Sequence, residues 1–211
     1  MRPDRLRIGG LTRFSTVDFP GRLSAVVFCQ GCPWRCRYCH NTHLQPFHEG
    51  VLPWREVVEF LKSRAGLLDA VVFSGGEPTA QSAIENAIRS VRDLGFAVAL
   101  HTAGIFPERL ERLLPLLDWI GLDVKAPFDS RHDAITQVAQ SWHGPSEALD
   151  LVIASGVDYE IRTTLHPALL DEPACNAIRA ELSRRGAQPT RWQPFRPTGC
   201  TDPALIAISD R

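Results

Sequence analysis

The residues from Ser24 to Asn41 decide how this chain folds, and they read Ser-Ala-Val-Val-Phe-Cys-Gln-Gly-Cys-Pro-Trp-Arg-Cys-Arg-Tyr-Cys-His-Asn. The apolar run Ser24 to Cys29 is typical of a buried strand, and a loop with three further cysteines follows it. These cysteines, Cys32, Cys36 and Cys39, have the spacing C-x3-C-x2-C. A 4Fe-4S cluster is normally held by four thiolates, so a loop that supplies three leaves one iron open to an outside ligand. We therefore predict one such cluster in this loop.

Two other interpretations of the cysteines stay open at this point. With Cys29 the set becomes C-x2-C-x3-C-x2-C, which supplies four thiolates for zinc, but structural zinc sites usually separate their ligand pairs by roughly a dozen residues. A thiol-disulfide pair fits C-x2-C but leaves Cys36 and Cys39 unexplained. We expect Cys29 to be a small buried residue at a strand end.

Composition places limits on the class of protein. The chain has 211 residues, with 23 basic and 24 acidic side chains, and no linker divides it, so we expect a single domain over residues 1–211. The near-neutral charge indicates neither nucleic acid nor a membrane surface as partner. No apolar run approaches the ~20 residues of a membrane span, and the first residues lack the apolar stretch of a signal peptide, so we expect a cytoplasmic protein. Cys175 and Cys200 are too few to hold a second cluster.

Short runs rich in Val, Ile, Leu and Phe alternate with amphipathic stretches, which is typical of βα units on a parallel sheet. Six strands are predicted at Ser24 to Cys29, Ala70 to Ser74, Ala97 to Thr102, Trp119 to Val124, Asp158 to Thr164 and Thr190 to Pro194. Helices are predicted at Trp54 to Arg64, Ala83 to Leu94, Pro107 to Leu116, Glu147 to Ala154 and Pro173 to Arg185, with a short one at Ser130 to Ala139 ended by Gly144-Pro145. Six units fall short of the eight of a full barrel, so the predicted fold is α/β, an incomplete (β/α)6 barrel with a parallel sheet.

Polar residues follow every predicted strand, where parallel βα folds place their sites. In chain order they are the cysteine loop, Ser74-Gly75-Gly76-Glu77-Pro78, His101-Thr102-Ala103-Gly104, Asp123-Val124-Lys125, Arg162-Thr163-Thr164-Leu165-His166 and Phe195-Arg196-Pro197. We expect these groups to converge on one rim of the barrel.

The cysteine motif with Tyr38 before its last cysteine, followed by Gly75-Gly76-Glu77-Pro78 after the next strand, resembles the radical S-adenosylmethionine (SAM) superfamily. Within it, the chain is most similar to the glycyl-radical-enzyme activating enzymes, in particular to the anaerobic ribonucleoside-triphosphate reductase activating proteins. The stretches that carry this similarity are Phe14-Ser15-Thr16-Val17-Asp18-Phe19-Pro20-Gly21, Gln30-Gly31-Cys32, Tyr38-Cys39-His40-Asn41, Leu122-Asp123-Val124-Lys125 and Gln193-Pro194-Phe195-Arg196-Pro197.

The resemblance implies an activity and its cofactors, a 4Fe-4S cluster and SAM. A flavodoxin or ferredoxin would reduce the cluster, SAM would be cleaved to methionine and a 5′-deoxyadenosyl radical, and that radical would take a hydrogen from a glycine of a partner enzyme. The implied partner is a glycyl-radical enzyme, anaerobic ribonucleoside-triphosphate reductase first. Alternatives are activation of another such enzyme, for example pyruvate formate-lyase, a small-molecule radical SAM enzyme, or a non-catalytic iron-sulfur or zinc module.

The resemblance also implies a SAM site in which the cluster and SAM carry out the chemistry and no side chain is catalytic. By their motifs, its residues would be Tyr38, His40, Gly75, Gly76, Glu77, Asp123 and Lys125, and position at a strand end alone adds Thr102, Arg162 and His166. Other roles stay open: Gly75-Gly76 as a simple turn, Glu77 as a group that holds this turn, Asp123 with Lys125 as a rim ion pair, and His166 as a structural histidine.

The chain departs from related activating enzymes in one motif. Where these commonly have Asp-Thr-Asn-Gly, this chain has His101-Thr102-Ala103-Gly104, so a carboxylate that holds a cation near SAM in some relatives is missing. Either His101 replaces it or no cation is held. We also expect little protein beyond Arg196 to cover the open side of the barrel, with Trp192 and Phe195 either bordering that opening or packing in the core.

Overall fold

Seven strands form one sheet, in which they lie side by side in the order of the chain. The computed structural model describes residues 5–209. The strands are β1 Ile8–Ser15, β2 Ser24–Cys29, β3 Ala70–Gly75, β4 Ala97–Thr102, β5 Trp119–Asp123, β6 Asp158–Leu165 and β7 Thr190–Pro194. Neighbours from β2 to β7 are parallel. All six predicted strands are therefore present, with ends that shift by one residue at most.

Strand β1, which is antiparallel to β2, was not predicted from the sequence. Its core-facing pattern is weak, because Gly9 and Gly10 follow Ile8 and its central residues are partly or fully exposed. Among residues 5–209, β1 pairs with no strand other than β2, apart from one bridge between Ile8 and Leu52, and β7 pairs with no strand other than β6. The barrel is therefore open between β1 and β7.

The helices alternate with the parallel strands and lie at α1 Trp54–Lys62, α2 Ile84–Asp93, α3 Pro107–Leu113, α4 Ser130–Thr136, α5 His143–Ser155, α6 Glu172–Arg185 and α7 Pro203–Ser209. Short 3-10 turns occur at Thr42–Leu44, Pro78–Ala80 and Leu114–Leu116. Helix α5 begins before the predicted Glu147, and Gly144-Pro145 lies in its first turn rather than ending α4, since proline is tolerated there. Helix α4 ends earlier than predicted, where Gln137 has a left-handed φ of 61°. No helix among residues 5–209 is long and apolar enough to cross a membrane.

Alternating residues of each strand divide the core in two. One set, which includes Val27, Val71, Val98, Ile120 and Ile161, packs with the helices. The other set lies inside the barrel and consists of Val26, Ala70, Val72, Ala99 and Trp119. The connection between β1 and β2 enters this interior, where the rings of Phe19 and Trp119 stack with centroids 5.9 Å apart.

The residues after β7 fold back onto the cysteine loop, where Asp202 accepts a hydrogen bond from Arg37 Nε at 2.8 Å. The backbone N–H of Phe195 donates to the Leu165 carbonyl at 2.9 Å, and Leu205 in α7 is fully buried. Trp192 and Phe195 both pack against the core, which supports the second of the two roles considered for them.

Candidate active site

A cleft of about 250 Å³ lies at the carboxyl ends of the strands. Its lining includes every predicted site residue except His166: Cys32, Cys36, Tyr38, Cys39, His40, Gly75, Gly76, Glu77, Thr102, Asp123, Lys125 and Arg162. Residues distant in sequence therefore meet here because each follows the same end of a parallel strand.

Three thiols of the cysteine loop, those of Cys32, Cys36 and Cys39, are free, partly exposed and line the cleft. Cys29 is fully buried at the end of β2 and does not line the cleft. No three His, Cys, Asp or Glu side chains among residues 5–209 are gathered closely enough for a single metal ion. Because three thiols line the cleft and that of Cys29 does not, the arrangement fits three cluster ligands better than four zinc ligands.

Burial affects the protonation of these thiols. It raises the pKa of Cys32 to about 12 and that of Cys36 to about 11. Because iron binds the thiolate, cluster loading in this cleft would release protons.

The first half of the cysteine loop rests on helix α4. The backbone N–H groups of Arg35 and Arg37 each donate to a carbonyl in the last turn of α4 at 3.0 Å. The Trp34 ring meets the edge of buried His132 with centroids 5.3 Å apart. His132 Nδ1 bonds to Ser141 Oγ at 2.7 Å, and its Nε2 has no partner among the described residues. Burial, together with the Lys125 charge, lowers the pKa of His132 to about 4, so this ring is neutral at pH 7.

The Gly75-Gly76-Glu77 turn is stacked directly on the start of the cysteine loop. Gly75 has a φ of 107°, which favours glycine. A Cβ on Gly76 would lie 2.4 Å from the Gly31 carbonyl oxygen. The Glu77 N–H donates to that same carbonyl at 3.0 Å. The two halves of the predicted motif are therefore joined through their backbones.

Glu77 is 1% exposed and links this turn to the end of β4. Its carboxylate accepts hydrogen bonds from the N–H and hydroxyl of Thr79 at 3.0 and 2.6 Å, from the Thr102 hydroxyl at 2.7 Å and from the Ala103 N–H at 3.0 Å. Burial raises the pKa of Glu77, while these hydrogen bonds oppose the shift. This geometry supports the alternative in which Glu77 holds the turn.

Asp123 lines the cleft between two cations. Its carboxylate is 3.1 Å from Arg162 Nε and 3.4 Å from Lys125 Nζ. Burial alone would raise the pKa of Asp123, but Arg162 and Lys125 outweigh it and hold this pKa below its usual range. Burial alone would lower the pKa of Lys125, but Tyr38 and Asp123 hold it well above its usual range. The three side chains are therefore charged at pH 7 and carry one net positive charge.

The two histidines that line the cleft differ in their surroundings. His101 Nε2 donates to the Asp18 carbonyl at 2.8 Å. Burial and the nearby Arg162 charge lower the pKa of His101 to about 4, so this ring is neutral. Much of His40 is exposed to solvent. The part of its side chain that is shielded from water makes the charged form less favourable, which lowers the pKa of His40.

His166 lies outside the cleft, and this prediction from strand position is not supported. It is 2% exposed, its Nε2 donates to the Leu205 carbonyl at 3.0 Å and its Nδ1 accepts from the Ala168 N–H at 3.1 Å. Both ring nitrogens are thus used within the fold, as the structural alternative for this residue requires.

Eight residues line the cleft that were not predicted as cluster ligands or SAM contacts: Trp34, Asn41, Gln45, Ser74, His101, Ala103, Thr164 and Gln193. Four of them, Ser74, His101, Ala103 and Thr164, belong to the polar stretches that were expected on this rim, and strand register offers a signal for Gln193. Thr164 lies two residues after Arg162 on β6, and Gln193 is its register partner on β7, so strand alternation places all three on one face.

Comparison with known proteins assigns the family. Residues 26–179, which contain both motifs, match the model of the radical SAM superfamily. The chain belongs to the radical SAM superfamily. A protein of Methanocaldococcus jannaschii, provisionally named glycyl-radical enzyme activating enzyme MJ1227, is 34% identical over 174 residues, which cover 78% of this chain and 70% of the relative.

Other radical SAM proteins agree with this assignment. The pyruvate formate-lyase-activating enzyme of Clostridium pasteurianum is 32% identical over 171 residues, 78% of this chain and 71% of the relative. The crystal structure of QueE from Escherichia coli superposes with a TM-score of 0.58 at 15% identity, over 97% of this chain and 88% of QueE, which shows the shared partial barrel. This radical SAM protein is therefore an enzyme of the class that activates glycyl-radical enzymes.

Proposed function

We propose that this radical SAM enzyme cleaves SAM at a 4Fe-4S cluster held by Cys32, Cys36 and Cys39, and thereby forms a glycyl radical on anaerobic ribonucleoside-triphosphate reductase. The observation that carries the proposal is the shared cleft, which brings three partly exposed thiols together with the Gly75-Gly76-Glu77 turn and the Asp123 charge cluster. The superfamily supplies the identity of the cofactors.

Cys32, Cys36 and Cys39 would hold the cluster, which would supply the electron for reductive cleavage of SAM into methionine and the 5′-deoxyadenosyl radical. The chain's own residues bind and orient the substrate. Gly75 and Gly76 line the cleft and would offer backbone groups to the methionyl ammonium, and the absence of their side chains lets this turn lie against the backbone of the cysteine loop. Asp123 carries a negative charge for a ribose hydroxyl, while Arg162 and Lys125 carry the positive charge for the methionyl carboxylate.

The choice of partner rests on the sequence stretches quoted above, and a flavodoxin or ferredoxin in the cytoplasm is the proposed electron donor. Pyruvate formate-lyase is the second candidate partner, because activating enzymes of that protein are also similar to this chain. The two candidates share the cleft chemistry and differ in the protein that must dock beside it.

Anaerobic reconstitution with iron and sulfide, reduction with dithionite and assay of 5′-deoxyadenosine from SAM test the catalytic part. We expect wild type to produce it and Cys36→Ala to lose it entirely. Cys175→Ala is the matched control, because Cys175 is buried in α6 and does not line the cleft. Stoichiometric zinc without SAM cleavage would instead identify a binding module.

Electron paramagnetic resonance (EPR) spectroscopy then tests the partner. The reconstituted enzyme is mixed with SAM and either purified anaerobic ribonucleotide reductase or pyruvate formate-lyase from the same organism. A glycyl radical on the reductase alone supports the proposal, and one on the lyase alone replaces it with the alternative. SAM cleavage without a radical on either protein favours a small-molecule substrate.

A further inference from the structure

The cysteine loop is held on two sides, by α4 and by the residues after β7. We call residues 196–205 the C-terminal clasp. The contacts from α4 reach Arg35 and Arg37. Beyond Arg37 the loop makes local backbone bonds, such as Cys39 N–H to the Cys36 carbonyl at 3.0 Å. The clasp lies against this second half, which contains Cys39 and two predicted SAM contacts.

An ion pair joins the clasp to the loop. Arg37 Nε donates to Asp202 Oδ2 at 2.8 Å, and the two side chains are 34% and 20% exposed. The other carboxylate oxygen, Oδ1, accepts from the Ala204 N–H at 3.0 Å at the start of α7. The two oxygens of Asp202 thus have separate roles, one toward its own helix and one toward the loop.

Backbone packing adds to the ion pair. Gly199 has a φ of 80°, and a Cβ on it would lie 2.1 Å from the His40 carbonyl oxygen. Its own carbonyl accepts from Thr42 Oγ1 at 3.4 Å, and Cys200 Sγ donates to the Arg37 carbonyl at 3.4 Å. The clasp therefore contacts the loop backbone on both sides of Tyr38 and Cys39.

We propose that the C-terminal clasp is a positioning element of the SAM site, in which Asp202 acts through Arg37 and Gly199 acts through the His40 backbone. Neither residue lines the cleft, so neither contacts SAM itself. Both restrict the positions of the residues from Tyr38 to His40. These residues form part of the cleft wall, which must keep its shape for SAM to bind next to the open iron. This inference rests on the proposed SAM site.

Asp202→Asn is the test variant, because asparagine keeps the oxygen that caps α7 and removes the charge that faces Arg37. Glu85→Gln is the matched control, since it weakens the exposed Arg89 pair on α2, far from the cleft. Two measurements on the full chain are compared. One is the dissociation constant of SAM for the reconstituted enzyme, by anaerobic equilibrium dialysis. The other is hydrogen–deuterium exchange of residues 37–42, with and without the cluster.

We expect Asp202→Asn to bind SAM about five-fold more weakly, the fold-change that the loss of one partly buried ion pair gives. Exchange should accelerate in residues 37–42 and stay unchanged in β2 to β5. Asp202→Glu, which restores the charge, should recover part of the affinity. Gly199→Ala should show the same local pattern with a larger loss, and Glu85→Gln should show neither effect.

Other outcomes separate this inference from the function on which it rests. SAM affinity within two-fold of wild type, with unchanged exchange in residues 37–42, overturns the inference and leaves the proposed function intact. Faster exchange throughout the sheet assigns Asp202 a general structural role and also overturns it. If the reconstituted wild type does not bind SAM, both this inference and the proposed function are wrong.

Discussion

Replacing Glu77 by alanine is expected to destabilise the iron-free protein by about 2 to 4 kcal/mol. The substitution leaves two buried backbone donors, the N–H groups of Thr79 and Ala103, without an acceptor. Each unsatisfied buried donor costs about 1–3 kcal/mol. The hydroxyls of Thr79 and Thr102 add less, because they can rotate toward other acceptors. Removing a buried carboxylate offsets part of the loss, since burial already disfavours its charge.

Urea unfolding of the iron-free chain, followed by circular dichroism and by tryptophan fluorescence under anaerobic reducing conditions, measures the effect. Glu77→Gln keeps one acceptor oxygen but places its NH2 group opposite one of the donors. It should therefore lose about half as much unfolding free energy as Glu77→Ala. The exposed control Glu85→Gln should stay within about 0.5 kcal/mol of wild type. If Glu77→Ala also falls within that margin, Glu77 does not hold the turn against β4, and the reasoning is refuted.

Three further predictions follow from the same region. Between pH 7 and pH 5, the free energy of unfolding should fall by about 2 kcal/mol more in wild type than in His132→Gln. The reason is that His132 of the unfolded chain takes up a proton near pH 6.5, whereas folded His132, with a pKa of about 4, does not. Equal losses in parallel urea titrations of the two proteins would contradict this. Gly76→Ala should cost about 1–3 kcal/mol and reduce iron content after reconstitution, because its Cβ would lie 2.4 Å from the Gly31 carbonyl oxygen; full iron loading would argue against the stacked turn. Asp123→Asn leaves the charges of Arg162 and Lys125 without the carboxylate between them. It should weaken SAM binding about ten-fold, which corresponds to roughly 1.4 kcal/mol of binding free energy. If equilibrium dialysis shows unchanged affinity, SAM binds elsewhere.

The sequence predicted the parallel sheet well because buried parallel strands are continuous apolar runs. Strands β2 and β4 begin and end where the pattern of Val, Ala and Leu predicted. Strand β1 lies at the edge of the sheet with an exposed centre, so its residues carry little hydrophobic alternation. Helix α5 was predicted too short because Gly144-Pro145 predicts a break in isolation, whereas the helix accepts both residues in its first turn.

The site could be predicted as far as local motifs and strand ends reach. The C-x3-C-x2-C loop, the Gly-Gly-Glu turn and the residues after β5 were all within reach, because each follows the carboxyl end of a strand. The clasp was not, since the contact between Arg37 and Asp202 spans 165 residues and no local pattern includes both of them. His166 shows the limit of the strand-end argument, because residues of α7 turn its ring away from the cleft.

The connection between β1 and β2 supports a side chain of the cleft, although none of its own residues lines the cleft. Phe19 occupies the barrel interior, and the Asp18 carbonyl receives the hydrogen bond of His101, which lines the cleft from below. A loop that belongs to neither cleft motif thus contacts a residue of the cleft wall. A change in the length of this loop would therefore act on the cleft through His101 and leave Cys32, Cys36 and Cys39 unaltered.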